Sequence, residues 1–287
     1  AKCADSIPLY RQAKAYRRAG VPVDDSTLGD LFHRTAEIVS PLYTRLLGHV
    51  PEIDIVLADE TTIRVLAPKK TRTAWIWSFI ARDPADKEII AYVYSKSRSG
   101  ETPVRVLAET MGKLLVDGYS AYNKVTMPGG RERAGCLAHL RRKCFDAQSA
   151  APEAARTAMN FILDVYRVER AAADQDVLGT PQHLAMRQSR SKAVMSDFRA
   201  WLDTEQPKHL PNGPMGEAIR YALNQWDALT LFLTDPRLPL DNNESERALR
   251  VCALGRKNFL FVGNDEAGEH LAGLYSLIAT CELHGVN

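Results

Sequence analysis

The chain has 287 residues, enough for one large domain or two ordinary ones with a sizeable core. Thirty-seven Lys and Arg against 35 Asp and Glu leave a net charge of +2, so any surface that binds nucleic acid must be local. A hydrophobic fraction of 45% and a charged fraction of 25% exclude a disordered tail or a fibre. The longest apolar stretch, around residues 74–81, is broken by Ser78 and falls far short of the roughly 18 residues of a membrane span. The five cysteines, Cys3, Cys136, Cys144, Cys252 and Cys281, are scattered and form no Cys-x-x-Cys pair, which argues against a disulfide framework or a structural zinc knuckle and for a reducing cytoplasm.

Residues 1–50 read as helical. A first helix runs from Pro8 towards Gly20, a turn follows at residues 21–25, and Ser26 or Thr27 is the expected N-cap of a second helix. Arg11, Lys14, Arg17 and Arg18 give the first helix a basic stripe, which makes this a helix-turn-helix-like candidate for DNA contact. From Ile53 the period changes. Residues 53–59, 75–80 and 89–94 have the β-branched and aromatic density of buried strands, with a turn at residues 82–87 between the last two. A helix over residues 102–111 leads to a short strand over 113–117 that ends in Asp-Gly. A strand that follows a crossover predicts a mixed sheet with a parallel pair. Residues 137–148 are helical, and then the strand signal vanishes: 153–173, 182–203 and 214–234 all show helical spacing. The chain returns through a capped helix at 241–250, a strand-like Phe259-Leu-Phe-Val262 and a final amphipathic helix over 269–282. The expected organisation is a helical region over 1–50, a first core segment over 51–150, a helical insertion over 151–236 and a second core segment over 237–287. The fold class is α/β.

Asp59 and Asp117 stand at the predicted carboxyl ends of two strands, where loops and helix termini converge on ligands in sheets with parallel neighbours. Two carboxylates brought together raise each other's pKa unless a cation lies between them. Hard oxygen donors of this kind suit Mg²⁺ or Mn²⁺, and two such ions support in-line phosphoryl displacement. The bland alternative is that each Asp merely forms a turn or a cap. Spacing alone does not choose a third acid among Asp241, Glu244 and Glu246, because Asn243-x-x-Glu246 also matches a capping box.

Five blocks occur in order: Ala58-Asp-Glu-Thr61, Val116-Asp-Gly-Tyr-Ser-Ala-Tyr-Asn123, Ala134-Gly-Cys-Leu-Ala-His-Leu-Arg-Arg-Lys143, Asp241-Asn-Asn-Glu-Ser-Glu-Arg247 and Leu254-Gly-Arg-Lys-Asn-Phe-Leu-Phe261. Together they resemble the transposases of the bacterial insertion sequence 66 family over nearly the whole chain. The resemblance implies a ribonuclease H-like core interrupted by the helical insertion. It also implies an Asp-Asp-Glu site of Asp59, Asp117 and Glu246 holding Mg²⁺, two ions in all, with Mn²⁺ as a substitute. The activity it implies is cleavage at transposon ends and transfer of the 3′-hydroxyl into target DNA. The implied partners are double-stranded DNA, further copies of the chain on that DNA, and accessory proteins of the element. The family's N-terminal zinc-binding region and short C-terminal extension are expected to lie outside this chain.

Supporting candidates surround the acids. Cys136-x-x-His139 is half of a zinc pattern with no second half, so a core cysteine beside a polar histidine is the plain reading. A similar pair in the eukaryotic hAT transposases instead implies that His139 approaches the scissile phosphate. Arg141, Arg142 and Lys143, with Arg131 and Arg133 nearby, form the densest basic cluster, and Arg247, Arg250, Arg256 and Lys257 flank Glu246. These are candidates for holding a DNA backbone. Trp226, on an apolar helical face, is a core residue or a stacking platform for an unpaired base. Two other functions fit the same blocks: a nuclease or resolvase that cuts without joining, and a non-catalytic DNA-binding remnant.

Overall fold

In the computed structural model, residues 1–82, 88–107 and 109–286 are described. In chain order the elements are α1 (Leu9–Arg18), α2 (Asp25–His49), β1 (Ile55–Ala67), β2 (Lys70–Arg82), β3 (Ile89–Ser95), α3 (Glu101–Leu107), β4 (Lys113–Val116), β5 (Glu132–Gly135), α4 (Leu137–Asp146), α5 (Pro152–Asp174), α6 (Pro181–Met186), α7 (Lys192–Glu205), α8 (Pro214–Asn224), α9 (Trp226–Thr230), α10 (Asn243–Ala248), α11 (Arg250–Phe259) and α12 (Asp265–Leu283). This is a mixed five-stranded sheet flanked by helices, as expected of an α/β, ribonuclease H-like chain. Among the described residues no helix is long and apolar enough to cross a membrane. The chain divides into two compact units, residues 1–112, 120–131 and 244–287 in the first and residues 113–119 and 132–243 in the second.

In the first unit β1 and β2 form a long antiparallel hairpin, Ala67 opposite Lys70, closed by Pro68 and by Lys69 at φ 62°. Its burial changes along its length. Ile55 to Ala58 and Ala74 to Ala81 are buried almost without a break, as in strands covered on both faces. Ile63 and Val65 are buried while Arg64 and Leu66 face water, the alternation of a strand covered on one face. β3 pairs antiparallel with β2, and α12 covers its free edge. Ser276 and Thr280 accept the Tyr92 and Ile90 N–H groups at 2.7 and 3.2 Å, and the Tyr43 hydroxyl of α2 donates to the Tyr92 carbonyl at 2.8 Å. An edge strand closed in this way cannot template another chain. The core joins Ile63, Val65, Ile76, Tyr92 and Tyr94 of the strands to Cys252, Leu271 and Tyr275 of α11 and α12. Arg131 is buried beneath, donating to the carbonyls of Pro51, Ile53 and Asp54 and to the Thr110 hydroxyl. Gly112 is obligatory beside it: its φ is 118°, and a Cβ would lie 2.3 Å from the Asp54 carbonyl oxygen.

In the second unit β4 and β5 form the parallel pair, Leu114 opposite Arg133. α4 follows β5 directly, and α5 to α9 build the helical insertion. The α5 face of Ala155, Ala158, Ile162, Val165, Val168 and Ala172 is buried. Phe161, Phe198, Trp201 and Trp226 form one aromatic cluster with centroids 5.1–6.1 Å apart. Arg187 sits in a π-helical turn between α6 and α7, buried, with two nitrogens on the Glu169 carboxylate and others on the carbonyls of Phe232, Asp235 and Leu238.

Several expectations are corrected. The first strand does not stop at Asp59 but runs on to Ala67, because the hairpin with β2 continues there. Asp24, not Ser26 or Thr27, caps α2: its carboxylate accepts the Thr27 N–H at 2.7 Å. The 102–111 helix does not extend to its expected end: residues 109 and 112 take positive φ values, and residue 108 lies outside the described residues. The 182–203 segment contains the π turn, and the 214–234 segment breaks at Gln225. Phe259-Leu-Phe-Val262 is not a strand: α11 reaches Phe259, Leu260 turns at φ 61°, and Val262 alone pairs with Val65. Leu260 and Phe261 are exposed, so nothing covers a second face there. β5 was not anticipated, since its four residues Glu132-Arg-Ala-Gly135 carry no alternation. Of the expected turn at 82–87, residues 83–87 lie outside the described residues.

The two buried arginines yield a stability prediction. Arg131→Met and Arg187→Met should each lower unfolding free energy by roughly 3–5 kcal/mol, since buried carbonyls lose their donor in both and Glu169 is left with His183 alone in the second. Removing the exposed pair Arg199–Asp203 should cost less than about 1 kcal/mol. Urea denaturation followed by circular dichroism checks both.

Candidate functional site

Each predicted acid is held by a different local device. Asp59 lies within β1, half-buried, opposite Ser78 of β2. Its Oδ1 accepts the Glu60 N–H at 2.8 Å, and the Ser78 hydroxyl donates to its carbonyl at 3.3 Å. Glu60 faces the other way and is engaged by protein. Its side chain is 2% exposed, and its carboxylate takes the Arg98 guanidinium at 2.6 Å and the Tyr122 hydroxyl at 2.7 Å. Strand alternation separates the two neighbours, and their partners give them different jobs.

Asp117 follows the last residue of β4 in the second unit, where the sequence reading put it. Its Oδ1 accepts the Tyr119 N–H at 2.8 Å, a tight Asp turn. Arg133 of β5 pins that turn by donating to the carbonyls of Asp117 and Tyr119 at 2.6 and 2.8 Å. Gly118 is required because a Cβ there would lie 2.7 Å from the Tyr221 ring. Burial, reinforced by the charges around it, holds the Tyr221 hydroxyl protonated well above the usual tyrosine range.

The third block separates its acids in the same way. Asp241 accepts the Tyr166 hydroxyl of α5 at 2.5 Å on one oxygen and the Asn243 N–H at 3.0 Å on the other. Glu244 pairs with Arg82 and stands 3.7 Å from Arg247. Glu246 is half-buried on the six-residue α10, in the first unit with Asp59.

The supporting residues fall into two groups. Arg131 and Arg133 leave the proposed basic cluster, since the first is buried in the fold and the second serves the Asp117 turn. Arg141 and Arg142 are exposed on α4, and Lys143 lies 5.2 Å from the Tyr221 ring. Arg247, Arg250 and Lys257 are exposed, while Arg256 ties α11 to β1 through the Thr62 carbonyl and hydroxyl at 2.8 and 2.7 Å. His139 is in the first turn of α4, and among the described residues its buried Nδ1 has no partner. Cys136 is a core thiol that accepts the Asn242 N–H at 3.3 Å. Trp226 opens α9, packs edge-on against Phe198, carries the Arg199 guanidinium 5.5 Å from its ring, and lines a cavity of about 420 Å³ with Lys192 and Thr230.

The family described as "Transposase IS66 family" matches residues 1–270 of the chain. The chain belongs to the IS66 transposase family. Among its relatives is the uncharacterized protein y4qI of Sinorhizobium fredii, 35% identical over all of this chain and 55% of its own length. The uncharacterized protein y4jD of the same organism is 35% identical over all of this chain and 58% of its own length, and y4hP is 30% identical over 98% and 54%. The chain thus spans a little over half the length of these relatives.

For a member of this family the metal question is one of donor chemistry. Among the described residues one group of three, Glu37, Glu266 and His270, has ligand atoms within 4.8 Å of one another. It contains none of the predicted acids, and two of its members are exposed carboxylates. Tyr166, which links the insertion to the Asp241 block, was missed by sequence reasoning. A lone tyrosine on a helix carries no signal until its partner is known.

Cys136 gives a direct test of the zinc alternative. Burial pushes its thiol and that of Cys3 up to about 11, and those of Cys144 and Cys252 up to about 12. Cys281 is exposed. One thiol per chain should react quickly with Ellman's reagent in the native state, and all five should react in denaturant. Fast native reaction of a Cys281→Ser variant would show that a buried thiol is activated.

Proposed function

We propose that this chain is the catalytic part of a DNA transposase that cuts at transposon ends and joins the freed 3′-hydroxyl to target DNA. One observation carries the reading: the chain belongs to the IS66 transposase family over residues 1–270. In the acidic blocks, Glu60 pairs with Arg98 and Tyr122, Asp241 with Tyr166 and Glu244 with Arg82. The acids of the pattern are Asp59, Asp117 and Glu246. All three are carboxylates, and oxygen donors of this kind suit Mg²⁺ or Mn²⁺. Two such ions, when bound, would polarise the scissile phosphate and lower the pKa of the attacking water.

The remaining work falls to the chain. In cleavage, a water oxygen forms the new bond to phosphorus, the 3′ oxygen leaves and takes a proton, and the water's proton passes to solvent. In joining, the 3′-hydroxyl oxygen attacks a target phosphodiester and displaces its neighbour's 3′ oxygen, so no enzyme-bound intermediate is needed. Arg141, Arg142, Lys143, Arg247, Arg250, Arg256 and Lys257 hold the DNA backbone, the charge-neutralising part of such catalysis. His139, in the first turn of α4, hydrogen-bonds the scissile phosphate, and Trp226 stacks on an unpaired base. Double-stranded DNA is the substrate, and paired ends call for more than one copy of the chain on it.

The test is joining of a pre-cleaved end to plasmid DNA in Mg²⁺. Asp59→Asn, Asp117→Asn and Glu246→Gln should each lower joining by at least about a thousandfold, and Glu244→Gln should retain it. Loss in Glu244→Gln with retention in Glu246→Gln would move the third acid. Cutting without joining would favour a nuclease. For the basic residues, Arg141→Glu with Arg142→Glu should weaken binding to all DNA sequences alike and reduce the salt slope by about 2.

A further inference from the structure

α2 is a 25-residue helix with two apolar faces. One face, with Ala36, Phe32 and Tyr43, packs inside the first unit, where a Cβ on Gly273 of α12 would lie 3.3 Å from the Tyr43 ring. The other face carries Leu31, Ile38 and Leu42, spaced by seven and four, on one helical stripe. They are 53%, 69% and 60% exposed. Single exposed apolar residues need no explanation, but three aligned on one stripe mark an interaction surface.

The flanking charges identify its occupant. Asp30 and Arg45 lie eight positions before and seven after Ile38, Asp30 at the edge of the stripe and Arg45, like Arg34, within it. Among the described residues neither pairs with an opposite charge. If a second copy of α2 crosses antiparallel at Ile38, Asp30 of each copy meets Arg45 of the other, twice by symmetry. Parallel pairing would set Asp30 against Asp30 and Arg45 against Arg45. At about 1.5 Å per residue the helix is near 37 Å long, enough for a self-complementary two-fold contact. We propose that this stripe is a homodimer interface in which α2 packs antiparallel on α2 of a second copy, with Ile38 at the two-fold axis and two Asp30–Arg45 ion pairs at its ends. The interface needs neither DNA nor metal, so it does not rest on the catalytic reading.

The test is sedimentation of the 287-residue chain in the absence of DNA over a range of concentrations. A reversible monomer–dimer equilibrium is expected. Ile38→Glu, at a site too exposed to disturb the fold, should raise the dissociation constant on the order of a hundredfold, with an unchanged circular dichroism spectrum. Asp30→Arg and Arg45→Asp alone should each weaken the dimer by about three- to tenfold, and the double variant should restore it. A dimer indifferent to Ile38→Glu places the interface elsewhere, and a double variant weaker than either single one overturns the antiparallel register. A chain that stays monomeric at every concentration overturns the proposal and leaves the stripe to a segment of the longer relatives or to a different protein.

Discussion

A guanidinium withdrawn from water must give every donor a partner, and each unit of this chain is organised around one that does. Arg131 takes the carbonyls of Pro51, Ile53 and Asp54, and Arg187 takes Glu169 and the carbonyls of Phe232, Asp235 and Leu238. The planar fork of arginine satisfies several fixed acceptors at once, which a lysine cannot do. The desolvation cost is large, and it is offset only when all of these segments are in place together. Arg131 therefore ties the lead-in to β1 to the loop before β5, and Arg187 locks the 232–238 segment onto α5. The π turn at Arg187 is the local distortion that brings the side chain inside.

The same logic sorts the carboxylates. Acids adjacent in sequence differ in what the fold does with them. Glu60 is neutralised by a cation and a hydroxyl, whereas Asp59 points to the opposite side of the strand. Asp241 is held by the Tyr166 hydroxyl and by the main-chain N–H of Asn243. Asp117 is fixed by a turn that Arg133 braces and that only glycine at position 118 permits.

Much of the fold was legible because its signals are local. β-branched and aromatic runs marked β1 to β3, a short apolar run ending in Asp-Gly marked β4, and helical spacing marked the insertion. The failures also have physical causes. Phe259-Leu-Phe-Val262 has the composition of a strand but no second layer to cover it, and an apolar run of four does not distinguish the two. β5 has a composition no strand rule selects and exists because β4 supplies its hydrogen bonds. Arg131 and Arg133 read as surface charge because charge on a sequence carries no sign of burial.

The sequence by itself determined the element types, the helical insertion, and the ordered blocks that tie the chain to its family, since these rest on periodicity and residue identity. Among Asp241, Glu244 and Glu246 it left the choice to resemblance. Which carboxylates are tied to protein partners was decided by tertiary structure alone. Arg82, Arg98, Tyr122 and Tyr166 lie far along the chain from the acids they hold, and a hydrogen bond depends on distance in space rather than in sequence.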